Sequence, residues 1–317
     1  MRNKRKLNKM RIFITIIFIV LILFLTFTII TKHQKNIFDV FKSKNNNISE
    51  NTEITAQNEE TQLSKEPEST NIIVDSESET SKIANINEQR KKCSEITTTR
   101  GLPVLMYHFF YDEQAGETGP DNNYLEIHKF EEQIKYLADN NYYVPTWKEV
   151  EDFINGEIGL PEKSVVITVD DGDESFFRLA VPVLEKYNFY ATSFLITSWY
   201  EDCINKYKSP VIDFQSHSYN MHIPGTDGKG AFLTLPYESA CEDLNKSKSI
   251  IGKNCIVFCY PFGHFNNTTK KILKDCNYTL AFTVNYGRVL PGMDCYALPR
   301  IRMSKVDSLQ TFISKVK

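Results

Sequence analysis

Apolar residues are distributed along this chain in three ways. Residues 12–30 form one uncharged, largely apolar run. Residues 31–99 are dominated by Asn, Ser, Thr and Glu, with aromatic rings only at Phe38 and Phe41. From residue 100 onward, short apolar runs alternate with segments whose apolar positions recur three or four apart. The runs at 103–107, 165–169, 191–196, 211–214, 256–260 and 280–284 read as buried strands. Between them, Phe130, Ile134 and Leu137 fall at i, i+4 and i+7 and give one helical face. Thr146 and Glu149 make a capping box ahead of Val150, Phe153 and Ile154. Residues 179–187 read as a helix with Pro182 near its first turn, and Asn267 is placed to cap residues 270–275. This alternation predicts an α/β fold, a parallel sheet covered by helices, either a barrel or a doubly wound sheet.

The first two patterns set the organisation. Residues 1–11 are basic, through Arg2, Lys4, Arg5, Lys6, Lys9 and Arg11. The run at 12–30 is long enough to cross a bilayer core of about 30 Å. Positive charge before it and acidic residues after it predict a single-pass membrane anchor, N-terminus inside and the bulk of the chain extracellular. A cleaved signal peptide is the competing reading, but the run exceeds a usual signal core and no small-x-small site follows closely. Residues 31–99 read as a disordered acidic linker, unable to bury enough apolar surface to offset its ordering entropy. As a coil such a linker reaches on the order of 40–50 Å. Residues 100–317 then form one domain.

Charge and cysteine content narrow the chemistry. The net charge of −3 leaves no basic footprint for nucleic acid. An extracellular location permits disulfides, but seven cysteines leave at least one unpaired. No C-x-x-C is present, and Cys255 and Cys259, flanking an apolar run, read as packed thiols rather than a zinc site.

Polar residues of catalytic type stand just after predicted strands: His108, Asp170-Asp171, His217 and His222, and Pro261-Phe262-Gly263. In a parallel barrel these strand ends share one face, where active sites are built. Successive strand residues point to opposite sides, so a turn is needed for Asp170 and Asp171 to face one cavity; Gly172 permits a sharp exit. Such a pair lets one acid hold a metal while the other stays free as a base. Two histidines five apart lie about 140° apart around a helix and cannot share its face, whereas in a loop they can converge. With one carboxylate they make a site suited to zinc in hydrolases or iron(II) in oxygenases.

Thr168-Val169-Asp170-Asp171-Gly172 resembles the first motif of the polysaccharide deacetylase (NodB-homology) family, carbohydrate esterase family 4. The histidine pair resembles its second motif and Cys259-Tyr260-Pro261-Phe262-Gly263 its third. The likeness spans residues 102–302 and implies a distorted (β/α) barrel with fewer than eight units. Pro103-Val104-Leu105-Met106-Tyr107-His108 and the wide histidine spacing look most like the branch acting on poly-N-acetylglucosamine. The resemblance implies that Asp171, His217 and His222 hold a divalent metal, zinc or another first-row ion. It implies Asp170 as general base, the Phe262 backbone N–H as oxyanion donor and His108 as the acid. Arg300 is the expected partner of Asp170, with Arg302 its rival. Three departures stand out: Val169 replaces an aromatic residue, no arginine precedes Pro261, and no closing motif with histidine lies near the C-terminus.

The expected activity is metal-dependent N-deacetylation of an extracellular N-acetylglucosamine polymer, with the membrane contacted through residues 12–30. Peptidoglycan is the rival substrate, and a non-catalytic glycan-binding module or a metal oxygenase are rivals of other classes. Of the remaining candidates, His264 closely follows the third motif and is placed to line a substrate groove, and Trp199 and Tyr200 follow a strand where they can stack on sugar rings. Trp147 reads as a helix-face residue. His128, ahead of a helix, and His33, in the linker, read as surface residues.

Overall fold

The computed structural model describes residues 100–200 and 202–317. The basic tail, the apolar run at 12–30 and the linker at 31–99 lie outside the described residues, among which no helix is long and apolar enough to cross a membrane.

The described chain opens with β1 (Val104–Tyr107), β2 (Phe109–Tyr111), β3 (Tyr124–Glu126), α1 (Ile127–Asp139) and α2 (Trp147–Ile154). It continues through β4 (Val166–Asp171), a π-helical turn (Phe176–Ala180) leading into α3 (Val181–Lys186), β5 (Ala191–Leu195), α4 (Cys203–Lys206) and β6 (Ile212–Ser216). A 3-10 turn (Ala231–Leu233), α5 (Tyr237–Ile251), β7 (Val257–Cys259), a second 3-10 turn (Pro261–Gly263) and α6 (Asn267–Asp275) follow. β8 (Leu280–Tyr286), β9 (Leu298–Arg302) and α7 (Leu309–Val316) complete it.

Strands β1-β4-β5-β6-β7-β8-β9 pair in that order, and β9 returns to β1, closing a parallel barrel. Of the two sheet forms open from the pattern, the barrel is the one formed. The closure is uneven. β6 and β7 share one register pair, Ser216↔Phe258, and the β8–β9 register shifts between Phe282 and Tyr286. Helices cover the outside because their apolar faces match the strands: Phe130, Ile134 and Leu137 of α1 are all fully buried.

Local signals hold with small shifts. The Thr146–Glu149 capping box is present in both directions. Asn266, rather than Asn267, caps α6, because Thr269 then falls at N3 and returns the bond. β4 runs two residues past its apolar run: Asp170 and Asp171 pair with Phe194 and Leu195 of β5, so both acids belong to the ladder. β9 escapes an apolar pattern because Pro299 and Arg300 interrupt it.

The barrel interior holds a buried ion pair. Arg300 and Asp170 are 1% and 2% exposed. Arg300 Nη1 donates to Asp170 Oδ1 and Nη2 to Oδ2, each at 2.7 Å. Its other N–H groups donate to Thr283 O, Thr168 Oγ1 and Cys259 Sγ, each at 3.0 Å. All five guanidinium donors are therefore satisfied. Arg302 is exposed and donates to Asn123 Oδ1 instead, so Arg300 is the partner. Burial alone would raise the Asp170 pKa; the charge and hydrogen bonds of Arg300 override it and hold the carboxyl well below its usual range.

A carboxyl with a depressed folded-state pKa adds stability above its unfolded pKa of about 3.9 and loses it as pH falls through the folded value. Arg300→Met removes the opposing charge and leaves burial to raise that pKa. The variant should lose about 3–5 kcal/mol at pH 7, read from urea midpoints. The deficit should shrink at pH 5, where Asp170 takes up a proton. A deficit independent of pH would contradict the assignment.

Candidate active site

The C-terminal ends of the strands gather the candidate residues. Asp171, the last residue of β4, has φ 74°, and Gly172 follows at φ 79°. Two consecutive left-handed residues break the strand's alternation, and both acids then stand close to His217. His217 belongs to close groups with each of them, Asp171–His217–His222 and Asp170–His217–Cys259. A side chain at Gly172 would also place its Cβ 2.4 Å from Leu195 Cδ2.

His217 follows β6 and is 2% exposed. Its Nδ1 lies 2.7 Å from Cys259 O. A carbonyl only accepts, so Nδ1 carries the hydrogen and Nε2 is turned toward Asp171. Burial opposes its protonation, but Cys259 and the carboxylates of Asp171 and Asp170 raise its pKa well above the ordinary histidine value. The loop between the histidines is pinned from α5. Asp243 accepts from the backbone N–H groups of Tyr219 and Asn220 at 2.7 and 2.8 Å, and Ser218 Oγ accepts from Met221 N at 2.9 Å. That loop delivers His222, whose pKa is lowered by burial and by His217.

His217 Nε2 and His222 Nε2 stand 3.4 and 3.5 Å from Asp171 Oδ1. That oxygen is buried and accepts no hydrogen bond. A tetrahedral ion with ligands at about 2.0–2.2 Å has ligand–ligand edges of roughly 3.3–3.6 Å. An orphaned carboxylate oxygen between two imidazole nitrogens at that spacing fits a divalent cation.

Backbone strain clusters here. Among the described non-glycine residues with positive φ, Asn141, Asn188 and Asn277 lie just past helix ends, where asparagine adopts this conformation readily. The other three are Asp171, Ser218 and Phe262, with φ of 74°, 77° and 58°. Asp171 is a member of the triad and Ser218 and Phe262 lie in turns beside it, and such strain persists only where its surroundings impose it.

Phe262 lies in the turn after β7, 42% exposed, its ring centroid 4.3 Å from that of His222. Gly263 at φ 72° completes the turn; a Cβ there would sit 2.4 Å from Val284 Cγ2. His108, just past β1, places Nε2 3.8 Å from Asp170 Oδ2. Burial lowers its pKa, with Asp170 and Asp171 opposing. Trp199 is 53% exposed, 5.9 Å from the His222 ring, and so stands at the mouth. Tyr200 instead packs against the core. His264 Nδ1 accepts from Gly230 N at 3.0 Å and ties a neighbouring loop to the Phe262 turn. Trp147, packed against the core, donates to Asp213 Oδ2, and exposed His128 pairs with Glu126.

The expected residues therefore come together: Asp170, Asp171, His108, His217, His222, Phe262 and Arg300. Two participants escaped the sequence reading. Cys259 is packed as expected, but its thiol also lies 3.5 Å from Asp170 Oδ2. Asp243 shapes the histidine loop from 21 residues beyond His222, and nothing in its local pattern marks it.

Comparison with known proteins points to one family. A polysaccharide deacetylase family model matches residues 158–281. A poly-β-1,6-N-acetyl-D-glucosamine N-deacetylase of Staphylococcus epidermidis is 30% identical over 259 residues, covering 73% of this chain and 88% of that protein. One from Staphylococcus aureus is 30% identical over 56% of this chain and 66% of its own length. Among solved structures, IcaB from Ammonifex degensii has a TM-score of 0.57 at 26% identity, covering 69% of this chain and 98% of that one. Streptococcus pyogenes deacetylase PplD, in complex with acetate, has a TM-score of 0.59 at 25% identity, covering 68% and 98%. The chain belongs to the polysaccharide deacetylase family, carbohydrate esterase family 4.

Proposed function

We propose that this enzyme removes N-acetyl groups from a poly-β-1,6-N-acetylglucosamine exopolysaccharide outside the cell. The observation that carries the reading is the buried Asp171 Oδ1, which accepts no hydrogen bond and stands 3.4 and 3.5 Å from His217 Nε2 and His222 Nε2, beside an Asp170 kept ionised by Arg300. Asp171, His217 and His222 hold a divalent cation, zinc by donor type. When bound, the cation supplies a water of lowered pKa and polarises the acyl oxygen. Asp170 Oδ2 accepts the proton of the attacking water. His108 Nε2 lies 3.8 Å from the same Asp170 oxygen and acts as the acid. Burial lowers the His108 pKa, which makes its imidazolium a ready donor to the departing amine. The Phe262 backbone N–H donates to the developing oxyanion, a task taken from the family likeness. Acetate leaves, and the polymer gains amines that are cationic at neutral pH and bind anionic surfaces.

The relatives' substrate favours this polymer. Peptidoglycan is the second reading, because an anchor at 12–30 and a linker at 31–99 would bring the domain to either polymer. Acetate release from β-1,6-linked N-acetylglucosamine oligomers should exceed that from peptidoglycan fragments by at least tenfold in kcat/KM, with zinc loaded. The opposite ranking would replace the substrate assignment, and no release from either would favour a glycan-binding module.

The same proposal places residues 100–317 outside the membrane. Protease added to intact cells should remove the domain and leave a membrane-bound N-terminal stub. Full protection in intact cells, lost on lysis, would contradict that placement.

A further inference from the structure

The sulfur atoms of Cys241 and Cys276 lie 3.2 Å apart. Cys241 is on α5, and Cys276 is the C-cap residue of α6. The contact is held from both sides. Four residues before Cys241, the Tyr237 hydroxyl donates to Asp275 Oδ2 at 2.7 Å. Seven residues after it, Lys248 Nζ donates to Cys276 O and Asn277 O at 2.9 and 2.7 Å. The Tyr278 hydroxyl donates to Leu244 O at 3.3 Å. These bonds fix the register of α5 against the end of α6, so the two thiols face each other as a property of the packing. A disulfide bond is about 2.05 Å long, and the sulfurs therefore need to approach by only about 1 Å.

We propose that Cys241 and Cys276 are a covalent cross-linking site, converted to an intramolecular disulfide by a small-molecule disulfide. Cys241 is half-buried and Cys276 is 6% exposed, so Cys241 meets the oxidant first. Its thiolate attacks one sulfur of the oxidant, forms a mixed disulfide and releases one thiolate. The Cys276 thiolate then attacks the Cys241 sulfur and releases the second. Two protein thiols lose their protons and become one disulfide, and one oxidant is reduced to two thiols. Burial raises the Cys276 pKa, so the second step quickens with rising pH. The closed loop contains β7 and the Pro261–Gly263 turn, and the cross-link fastens the wall that carries Phe262. Oxidising compartments outside the cytoplasm preserve such bonds.

The test treats the reduced full-length protein with oxidised glutathione, then combines peptide mass mapping with thermal unfolding. A linked Cys241–Cys276 peptide should appear. The thermal midpoint should rise by roughly 5–15 °C, the range for a disulfide closing a loop of this size in a domain of this length. Reductant should reverse the rise, and Cys241→Ser and Cys276→Ala should each abolish it. The proposal fails if both thiols stay open to alkylation, if they end as separate glutathione adducts, or if either joins another cysteine such as buried Cys255. This outcome is independent of the polymer and of the cation, because neither takes part in the exchange.

Discussion

The buried pair of Asp170 and Arg300 is the contact on which both barrel and site depend. Taking two charges out of water is costly, and attraction repays the cost only when geometry is close and every remaining donor is matched. Here the match is complete: two bonds to Asp170, one each to Thr168, Cys259 and Thr283. Thr168 in turn donates to Leu105 O. The network thus ties β1, β4, β7, β8 and β9, including the two strands that flank β1 at the closure. Arg300 acts as a polar plug where an apolar residue would leave Asp170 uncompensated.

The same pair divides the labour of two adjacent acids. Both Asp170 oxygens accept from Arg300, which fixes the carboxylate's charge and points it inward, while Oδ2 also stands 3.8 Å from His108 Nε2. Asp171, one residue later, is turned by its left-handed backbone toward the histidines and keeps Oδ1 free of hydrogen bonds. Strand alternation would have sent the two carboxylates to opposite faces. The strained step at Asp171 and Gly172 brings them together, while Cys259 O holds the His217 ring and Asp243 holds the loop that leads to His222.

Much of this was legible in the sequence because burial and catalysis leave different marks. Apolar runs located six of the seven barrel strands, and the acids and histidines at their ends marked the candidate site. β9 was invisible for a physical reason: Pro299 and Arg300 break the run between the buried Leu298 and Ile301, and Arg300 is buried by ion pairing, which leaves no apolar mark. Arg300 and Arg302 could not be separated by periodicity, since residues two apart on a strand share a side. Depth along the barrel separates them, with Arg302 exposed at the rim. The Asn266 cap was misplaced by one residue because two asparagines stand side by side and only the position of Thr269 decides between them. Cys259 read as packing, since a thiol in an apolar run gives no sign that it touches an ion pair. Asp243 was out of reach altogether, because its link to the histidine loop exists only after α5 folds against β6.

The central claim is that Asp171 is a ligand and Asp170 is not. Zinc affinity measured side by side for Asp170→Asn and Asp171→Asn tests it most directly, with acetate release recorded on the same samples. Asp170→Asn should bind zinc within about tenfold of the parent protein yet lose turnover by at least about a hundredfold. Asp171→Asn should lose zinc affinity by a hundredfold or more, and activity with it. Equal zinc loss in both variants, or turnover retained in Asp170→Asn, would contradict the account.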